Sequence, residues 1–352
     1  MVLSLYKLLK KHYIIIIYLL LFLVILVILL RLRKYITTSK VQYNSIETFS
    51  DNNNNDTTII IVPDLIGGIG NQLFVYVSAL VLSKMYNIPI VLDNRKDIYS
   101  YGENRPTYND TIFYNVKKND MLELKEFINS ETTYLIDENK FKNILDKYDE
   151  KENIPNNTKI IYLTGGYYQE YSYFNKYRED ILEILKPSMD INIKVDKLFE
   201  KHDINASDKL VGLHIRLLDI YTPDTPEKRV YDDEEYENII NDLINFPLEC
   251  KFIILSNNID ECMKKINSRN ISIDQSRLIY ISNKDYIELA ILSRCTDYIA
   301  SPSTFCWWGI YLNSKPLNDK KIYIYWKQDS DYRIDFYKKY TLYPNLINKF
   351  TI

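Results

Sequence analysis

His214 and Arg216 stand at alternate positions around the end of a predicted strand, Leu210–Ile215. Alternate residues of a strand face the same side, and open α/β sheets bind ligands at the carboxyl ends of their strands. An arginine there stays charged and can bind two phosphate oxygens at once. The pair could therefore hold a diphosphate without a divalent metal. A satisfied core histidine and a structural ion pair are the alternative interpretation.

A glycine-rich segment, Gly67–Gln72 (G-G-I-G-N-Q), joins a predicted strand, Thr58–Val62, to a predicted helix, Leu73–Tyr86. Glycines such as Gly68 and Gly70 let the backbone approach a phosphate, and a helix N-terminus presents free N–H groups. The segment lacks the third glycine of G-x-G-x-x-G and the Lys-Ser/Thr of a P-loop. A tight turn with no ligand is equally compatible with it.

A third segment, Ser301–Gly309, follows a predicted strand and opens a predicted helix. Ser303 and Thr304 fall at the helix start, where hydroxyl and N–H groups can meet phosphate. For Trp307 and Trp308 we expect packing of the helix against its sheet.

Metal ligation is not expected. The four cysteines contain no C-x-x-C pair, and an oxidising compartment would allow one or two disulfides whose pairing the sequence does not give. The D-x-D sequence Asp329-Ser-Asp331 lies in a polar segment near the C-terminus, where a solvated turn is favoured over a metal site. The cysteines are Cys250, Cys262, Cys295 and Cys306.

The charge distribution argues against nucleic-acid binding. Residues 1–34 carry six basic residues and no acid, which leaves 38 basic and 47 acidic residues in the remainder. A nucleic-acid-binding protein normally has a basic face, so we expect no nucleic-acid partner.

The N-terminus predicts a membrane anchor. Residues 13–30 are apolar without a charge, and basic residues flank both ends; about 17–25 such residues span a bilayer. We expect a cytosolic tail at 1–12, an anchor at 13–30 and a polar stem at 31–57. A buried core helix is the alternative. The anchor implies a type II protein of the Golgi or another secretory-pathway membrane, with a lumenal catalytic domain. N-x-[ST] sequons weakly support this route and start at Asn55, Asn109, Asn156, Asn205 and Asn270.

Two alternating α/β halves follow the stem, with a predicted boundary near Lys186–Asp208. The first, 58–200, has strands at Thr58–Val62, Ile88–Leu92 and Lys159–Leu163. The second, 201–352, alternates strands and helices from Leu210 to Tyr325. This pattern predicts an α/β fold of two Rossmann-like domains that face a cleft, with the donor in the second domain and the acceptor on the first.

Four segments in order resemble the α-1,2-fucosyltransferases, glycosyltransferase family 11. They match G-G-x-G-N-Q-x-F, G-Y-x-Q-x-x-x-Y-F, H-x-R-R-G-D-Y and S-N-S-S/T-F-S-W-W-G-A-x-L at Gly67–Phe74, Gly166–Phe174, His214–Ile220 and Ser301–Leu312. The resemblance implies a GT-B-like fold and inverting, metal-independent transfer of L-fucose from GDP-β-L-fucose to the 2-hydroxyl of a terminal galactose on a glycan.

The resemblance also implies which residues bind the donor. Arg216 and Asn71 would hold the diphosphate, together with the hydroxyls of Ser303 and Thr304. The remaining implied donor-binding positions are Gly68, Gly70, Gln72, His214, Ser256, Asn257 and Phe305.

The chain departs from the family pattern at several of these positions. Leu217 and Leu218 replace the second Arg and the Gly, and Ile220 replaces Tyr. Asn257 stands where an acid is usual, and Pro302 replaces Asn. These changes bear on guanine contacts and on the choice of sugar.

Asp219 and Asp224 are the candidate catalytic bases, and Asp219 could instead orient Arg216. Two further interpretations stay open. One is a transferase with another GDP-sugar or a different acceptor, and the other is an inactive membrane-tethered glycan-binding protein.

Overall fold

The computed structural model describes residues 59–93, 95, 97–100, 103–119, 131–147, 154–215, 233–268, 273–300, 303–315, 322–324 and 346–348. Residues Thr58–Ile352 form one compact unit. The predicted tail, anchor and stem lie outside the described residues. Within those described, no helix is both long and apolar enough to cross a membrane.

Strands and helices alternate along the described part of the chain. The strands are β1 Ile60–Pro63, β2 Leu92–Asp93, β3 Asp97–Ser100, β4 Glu103–Pro106, β5 Lys118–Asn119, β6 Thr133–Ile136, β7 Ile160–Leu163, β8 Lys209–Ile215, β9 Cys250–Ser256, β10 Leu278–Ile281, β11 Asp297–Ala300, β12 Ile322–Ile324 and β13 Leu346–Asn348. The helices are α1 Ile69–Tyr86, α2 Glu138–Asp146, α3 Arg178–Ile184, α4 Met189–Lys201, α5 Asp233–Asn245, α6 Ile259–Asn267, α7 Asp285–Leu292 and α8 Thr304–Tyr311. Short 3₁₀ turns occur at Tyr171–Tyr173, Asn175–Tyr177 and Gln275–Arg277.

The C-terminal sheet has the strand order of a dinucleotide-binding fold. Its six strands run in the order β10-β9-β8-β11-β12-β13, and every neighbouring pair is parallel. The central strands are nearly continuous apolar runs, as expected for strands covered on both faces. The order reverses between β8 and β11, and such a reversal opens a ligand-binding crevice at the carboxyl ends of those strands.

The N-terminal sheet is smaller and also parallel, with the order β1-β7-β6. The predicted α/β class with parallel sheets is confirmed. The predicted strand Ile88–Leu92 is wrong in its bounds, because only Ile90 bridges Ile61 before β2 begins at Leu92. The division into domains at residue 200 stays a prediction. The segment around it contains α4, which begins behind a Ser188 cap.

Helix α1 begins four residues earlier than the pattern predicted, at Ile69 instead of Leu73. Gly68 is its N-cap, so Gly70, Asn71 and Gln72 belong to the first turn and not to a loop. The helix ends at Tyr86, and its C-cap residue Asn87 has a φ of 55°, the left-handed conformation that stops a helix.

An aromatic cluster joins the two sheets. Phe74 of α1 packs with ring centroids 5.0 Å from both Trp307 and Trp308 of α8. Phe174 stacks on Trp308 at 5.8 Å with an interplanar angle of 16°. All four side chains are fully buried. The two tryptophans pack as expected, but the partners Phe74 and Phe174 belong to the first half of the chain and not to the sheet that α8 follows.

The four cysteines are buried and none forms a disulfide. The disulfide hypothesis is therefore wrong for this structure. These thiols contribute apolar volume, and burial raises the pKa of Cys295, which keeps it protonated.

One predicted sequon is inaccessible in the folded chain. Asn109 is buried, and its Nδ2 donates a hydrogen bond to the Asp93 carbonyl at 2.7 Å. Asn156 and Asn205 are exposed, whereas Asn55 and Asn270 lie outside the described residues.

Candidate functional site

The N-termini of α1 and α8 meet at Gly70. A β-carbon placed on Gly70 would lie 2.6 Å from the carbonyl carbon of Thr304 and 2.7 Å from the backbone nitrogen of Phe305. Any side chain there would collide with backbone atoms, so glycine is required for the contact. Gly70 thus serves an approach between two helices, whereas the sequence predicted an approach of its backbone to a phosphate.

The N-termini of α1 and α8 differ from those of most described helices in their first-turn charge. Neither α1 nor α8 has an acidic residue in its first turn. Acidic first turns occur in α2, α3, α4, α6 and α7. Carboxylates there offset the partial positive charge of a helix N-terminus. The point where α1 and α8 meet therefore favours an anionic ligand.

Four predicted residues gather at the reversal of strand order. His214 is buried at the end of β8, and its ring lies 5.1 Å from the ring of Phe305. Ser303 is the buried N-cap residue of α8, yet its side chain makes no capping hydrogen bond. The structure thus brings His214, Ser303, Thr304 and Phe305 together, while their contact with a donor stays a prediction.

Asn71 is oriented by a residue of another predicted motif. Its Oδ1 accepts a hydrogen bond from Nε2 of Gln169 at 2.7 Å. This bond identifies which atom of the Asn71 amide is the oxygen and which is the nitrogen. The nitrogen, Nδ2, lies 2.7 Å from the position that a β-carbon on Gly67 would occupy. The Nδ2 end of the Asn71 amide therefore faces Gly67, while its contact with a donor stays a prediction.

The surroundings of Gln72 do not fit its predicted role, because a donor-binding side chain has to be accessible to the donor. The side chain is fully buried. Its Nε2 donates to the carbonyls of Gly67 at 3.0 Å and Pro106 at 2.9 Å. With no exposed surface, this side chain holds the glycine segment and the end of β4 together and does not itself reach solvent or ligand.

Ser256 is the last residue of β9, the strand that neighbours β8, and Asn257 is the next residue in the chain. Ser256 is buried beside Ile215, and its hydroxyl oxygen accepts from the Asn258 N–H at 3.1 Å. Asn257 is exposed. Both therefore lie at the same carboxyl edge as His214. Arg216, Asp219 and Asp224 come after the end of β8 in the chain and lie outside the described residues.

Two half-buried carboxylates in the first turn of α7 were missed from the sequence. The Tyr108 hydroxyl donates to Asp285 Oδ2, joining a segment of the first half to the start of α7. Burial raises the pKa of Asp285, and it raises the pKa of Glu288 one turn later to about 7. The Asn283 N–H donates to Glu288 Oε1 at 2.7 Å.

Raising the pH is expected to destabilise the fold through Glu288. Its pKa of about 7 in the folded chain exceeds the unfolded value of about 4.3. The contribution of protonated Glu288 to the stability of the folded chain is therefore fully present below the unfolded pKa and is lost as pH rises through the folded pKa. A Glu288→Gln variant keeps the acceptor and cannot ionise. The melting temperature of the variant should rise relative to that of the wild type as the pH is raised from about 5 to about 8. A difference in melting temperature that stays constant over this range would contradict the prediction.

A second polar group lies at the carboxyl edge of the N-terminal sheet. Asp64 follows β1 and Asp93 ends β2. Arg95 Nη2 lies 3.1 Å from Asp64 Oδ1 and 2.8 Å from Asp93 Oδ2. Carboxylates and a guanidinium in this arrangement can hydrogen-bond hydroxyl groups. An acid directly after a buried strand was the sequence signal that could have found Asp64.

The described residues contain no group of three or more His, Cys, Asp or Glu side chains placed to hold a metal ion. Asp329 and Asp331 lie outside them, so metal independence stays a prediction.

Comparison with known proteins supplies the family. The family described as Glycosyl transferase family 11 matches residues 27–343. The chain is 26% identical over 266 residues to an α-1,2-colitosyltransferase of Escherichia coli, covering 73% of this chain and 88% of that one. It is 24% identical over 277 residues to the O-antigen biosynthesis glycosyltransferase WbnK of Escherichia coli, covering 71% and 89%.

A solved structure shares the fold. A variant of FUT1 from Arabidopsis thaliana, in complex with GDP, superposes with a TM-score of 0.51 at 13% identity, covering 79% of this chain and 73% of that one. This likeness concerns the fold alone, whereas the family match extends over most of the sequence. The chain is a glycosyltransferase and belongs to glycosyl transferase family 11.

Proposed function

We propose that this glycosyltransferase moves L-fucose from GDP-β-L-fucose to the 2-hydroxyl of a terminal galactose, with inversion and without a metal. The meeting of the α1 and α8 N-termini near the carboxyl end of β8 carries the proposal, because two helix N-termini at one point favour an anionic ligand. A GDP complex of the Arabidopsis FUT1 variant, which has a similar fold, is consistent with that donor.

In this mechanism the acceptor oxygen attacks C1 of the sugar from the face opposite the diphosphate. The bond from C1 to the diphosphate breaks, and GDP leaves with the electron pair. Arg216, the helix N-termini and the hydroxyls of Ser303 and Thr304 stabilise the charge that develops on GDP. Asp219 or Asp224 accepts the proton of the acceptor hydroxyl. An Asp224→Asn variant with unchanged turnover would remove Asp224 from this role.

We place the acceptor at the edge formed by Asp64, Asp93 and Arg95, whose oxygens and N–H groups suit sugar hydroxyls. We also propose that residues 13–30 anchor the chain in a secretory-pathway membrane, with the catalytic part on the lumenal side. Protease protection of the folded part in sealed microsomes tests the orientation.

A transfer of colitose, or of another sugar from a GDP donor, is the second candidate. The α-1,2-colitosyltransferase among the relatives favours it, as does the exposed Asn257 where the family pattern has an acid.

A donor panel separates these candidates. We expect product when the purified chain receives GDP-fucose and a β-galactoside in EDTA. Turnover only with GDP-colitose or another GDP-sugar would replace the donor, and turnover only on another acceptor would replace the galactoside. A requirement for a divalent cation would overturn metal independence. Glycan binding with no turnover for any donor would favour a glycan-binding protein.

A further inference from the structure

Arg105 lies against the N-terminus of α1. It belongs to β4, which pairs with β3 in an antiparallel hairpin. A β-carbon built on Gly68, the N-cap of α1, would lie 3.3 Å from Arg105 Nη1. The guanidinium therefore reaches the same helix end that meets α8 at Gly70.

Gln72 fixes this approach. Its Nε2 bridges the carbonyls of Gly67 and Pro106, and Pro106 is the residue after Arg105. One buried amide thus ties the glycine segment to the strand that carries the arginine. This gives Gln72 a reason to be in the G-G-x-G-N-Q segment even though it is buried: it holds Arg105 in register with the helix end.

The charge of the donor calls for more than one cation. Each phosphate of a sugar nucleotide carries a negative charge, and GDP gains another when it leaves. The motif beginning at His214 has Leu217 in the place of its second arginine, so it provides Arg216 alone. A cation from another element would add to the stabilisation of the charge that develops on GDP.

We propose that Arg105 is a donor-binding residue that contacts the diphosphate at the joined N-termini of α1 and α8. The proposal rests on the proposed function for its identification of the anion as a sugar nucleotide. A guanidinium suits this position because its planar N–H groups match phosphate oxygens and its charge is permanent.

A structural role is the competing explanation. The positive charge of Arg105 acts on Asp285 and favours its ionised form. Asp285 already accepts hydrogen bonds from the Tyr108 hydroxyl and the Tyr286 N–H. If Arg105 served Asp285 alone, its loss would lower stability and would not discriminate between ligands with and without phosphates.

Calorimetric titration of the full chain with GDP, guanosine and inorganic pyrophosphate tests the proposal. We expect Arg105→Gln to weaken GDP and pyrophosphate binding by about tenfold or more, and to leave guanosine binding within about twofold. Arg105→Lys keeps the positive charge but loses the planar guanidinium. Its affinities for GDP and pyrophosphate should lie between those of the wild type and those of Arg105→Gln. Arg294→Gln is the matched control, because Arg294 pairs with Asp196 beyond the far end of α7. It should leave all three affinities unchanged.

Two outcomes would overturn the role of Arg105. One is GDP binding by Arg105→Gln within about twofold of wild type. The other is an equal loss of GDP and guanosine affinity together with a lower melting temperature. A wild-type chain that binds pyrophosphate but not GDP would instead refute the proposed donor, and the pyrophosphate titrations would still decide the role of Arg105.

Discussion

Trp308→Ala is expected to lower the free energy of unfolding by about 3–5 kcal/mol. The indole is fully buried between Phe74 and Phe174, which both belong to the first half of the chain. Its removal leaves a cavity between α8 and the aromatic residues of the first half of the chain. Denaturant unfolding, with the slope against denaturant compared between variants, measures the loss.

Two variants control this measurement. Trp308→Phe keeps an aromatic ring and removes an Nε1 that is buried with no hydrogen-bond partner in the described part. It should cost only roughly 1–2 kcal/mol. Leu248→Ala removes a side chain that is 85% exposed and should change little. Equal losses of unfolding free energy for Trp308→Ala and Leu248→Ala would refute the stabilising role of Trp308 in the aromatic cluster.

Gly70→Ala is expected to impair both folding and donor binding. The added methyl carbon would meet backbone atoms of Thr304 and Phe305 at 2.6 and 2.7 Å. Backbone cannot rotate away as a side chain can, so α1 and α8 must separate. We expect a net loss of about 1–3 kcal/mol in stability. Displacement of the two helix ends should also weaken GDP binding by about tenfold to a hundredfold.

Gly309→Ala separates the two effects. A β-carbon there would lie 2.7 Å from the Leu292 β-carbon, so this glycine also permits a close helix contact. Gly309 faces α7, however, and lies away from the meeting point at Gly70. The variant should lose stability and keep GDP affinity within about twofold once the folded fraction is taken into account. Unimpaired GDP binding by folded Gly70→Ala would contradict the anion site.

The sequence predicted the C-terminal half well because its strands are short apolar runs separated by amphipathic helices. The predicted strand Leu210–Ile215 differs from β8 by one residue. The first half was harder. The hairpin of β3 and β4 contains polar and charged residues with no clear alternation, so no pattern marked it. The start of α1 was misjudged because glycines in a first turn look like a loop.

The site was predictable only in part. His214, Asn71, Ser303 and Thr304 could be found because they lie in recognisable segments next to strand ends. The role of Gly70 could not, since it depends on a helix that is distant in the chain. The same holds for the bond from Tyr108 to Asp285 and for Arg105 beside Gly68. Such contacts arise from tertiary packing and leave no local periodicity.

The aromatic cluster of Phe74, Phe174, Trp307 and Trp308 has a consequence for exchanging parts between related enzymes. Trp307 and Trp308 complete their packing with Phe74 and Phe174, so each half covers an apolar surface of the other. A chimaera that takes its first half from one relative and its second half from another would bring together rings that never packed against one another. Grafting the proposed acceptor edge around Asp64 and Arg95 would avoid this mismatch, whereas recombining whole halves would create it.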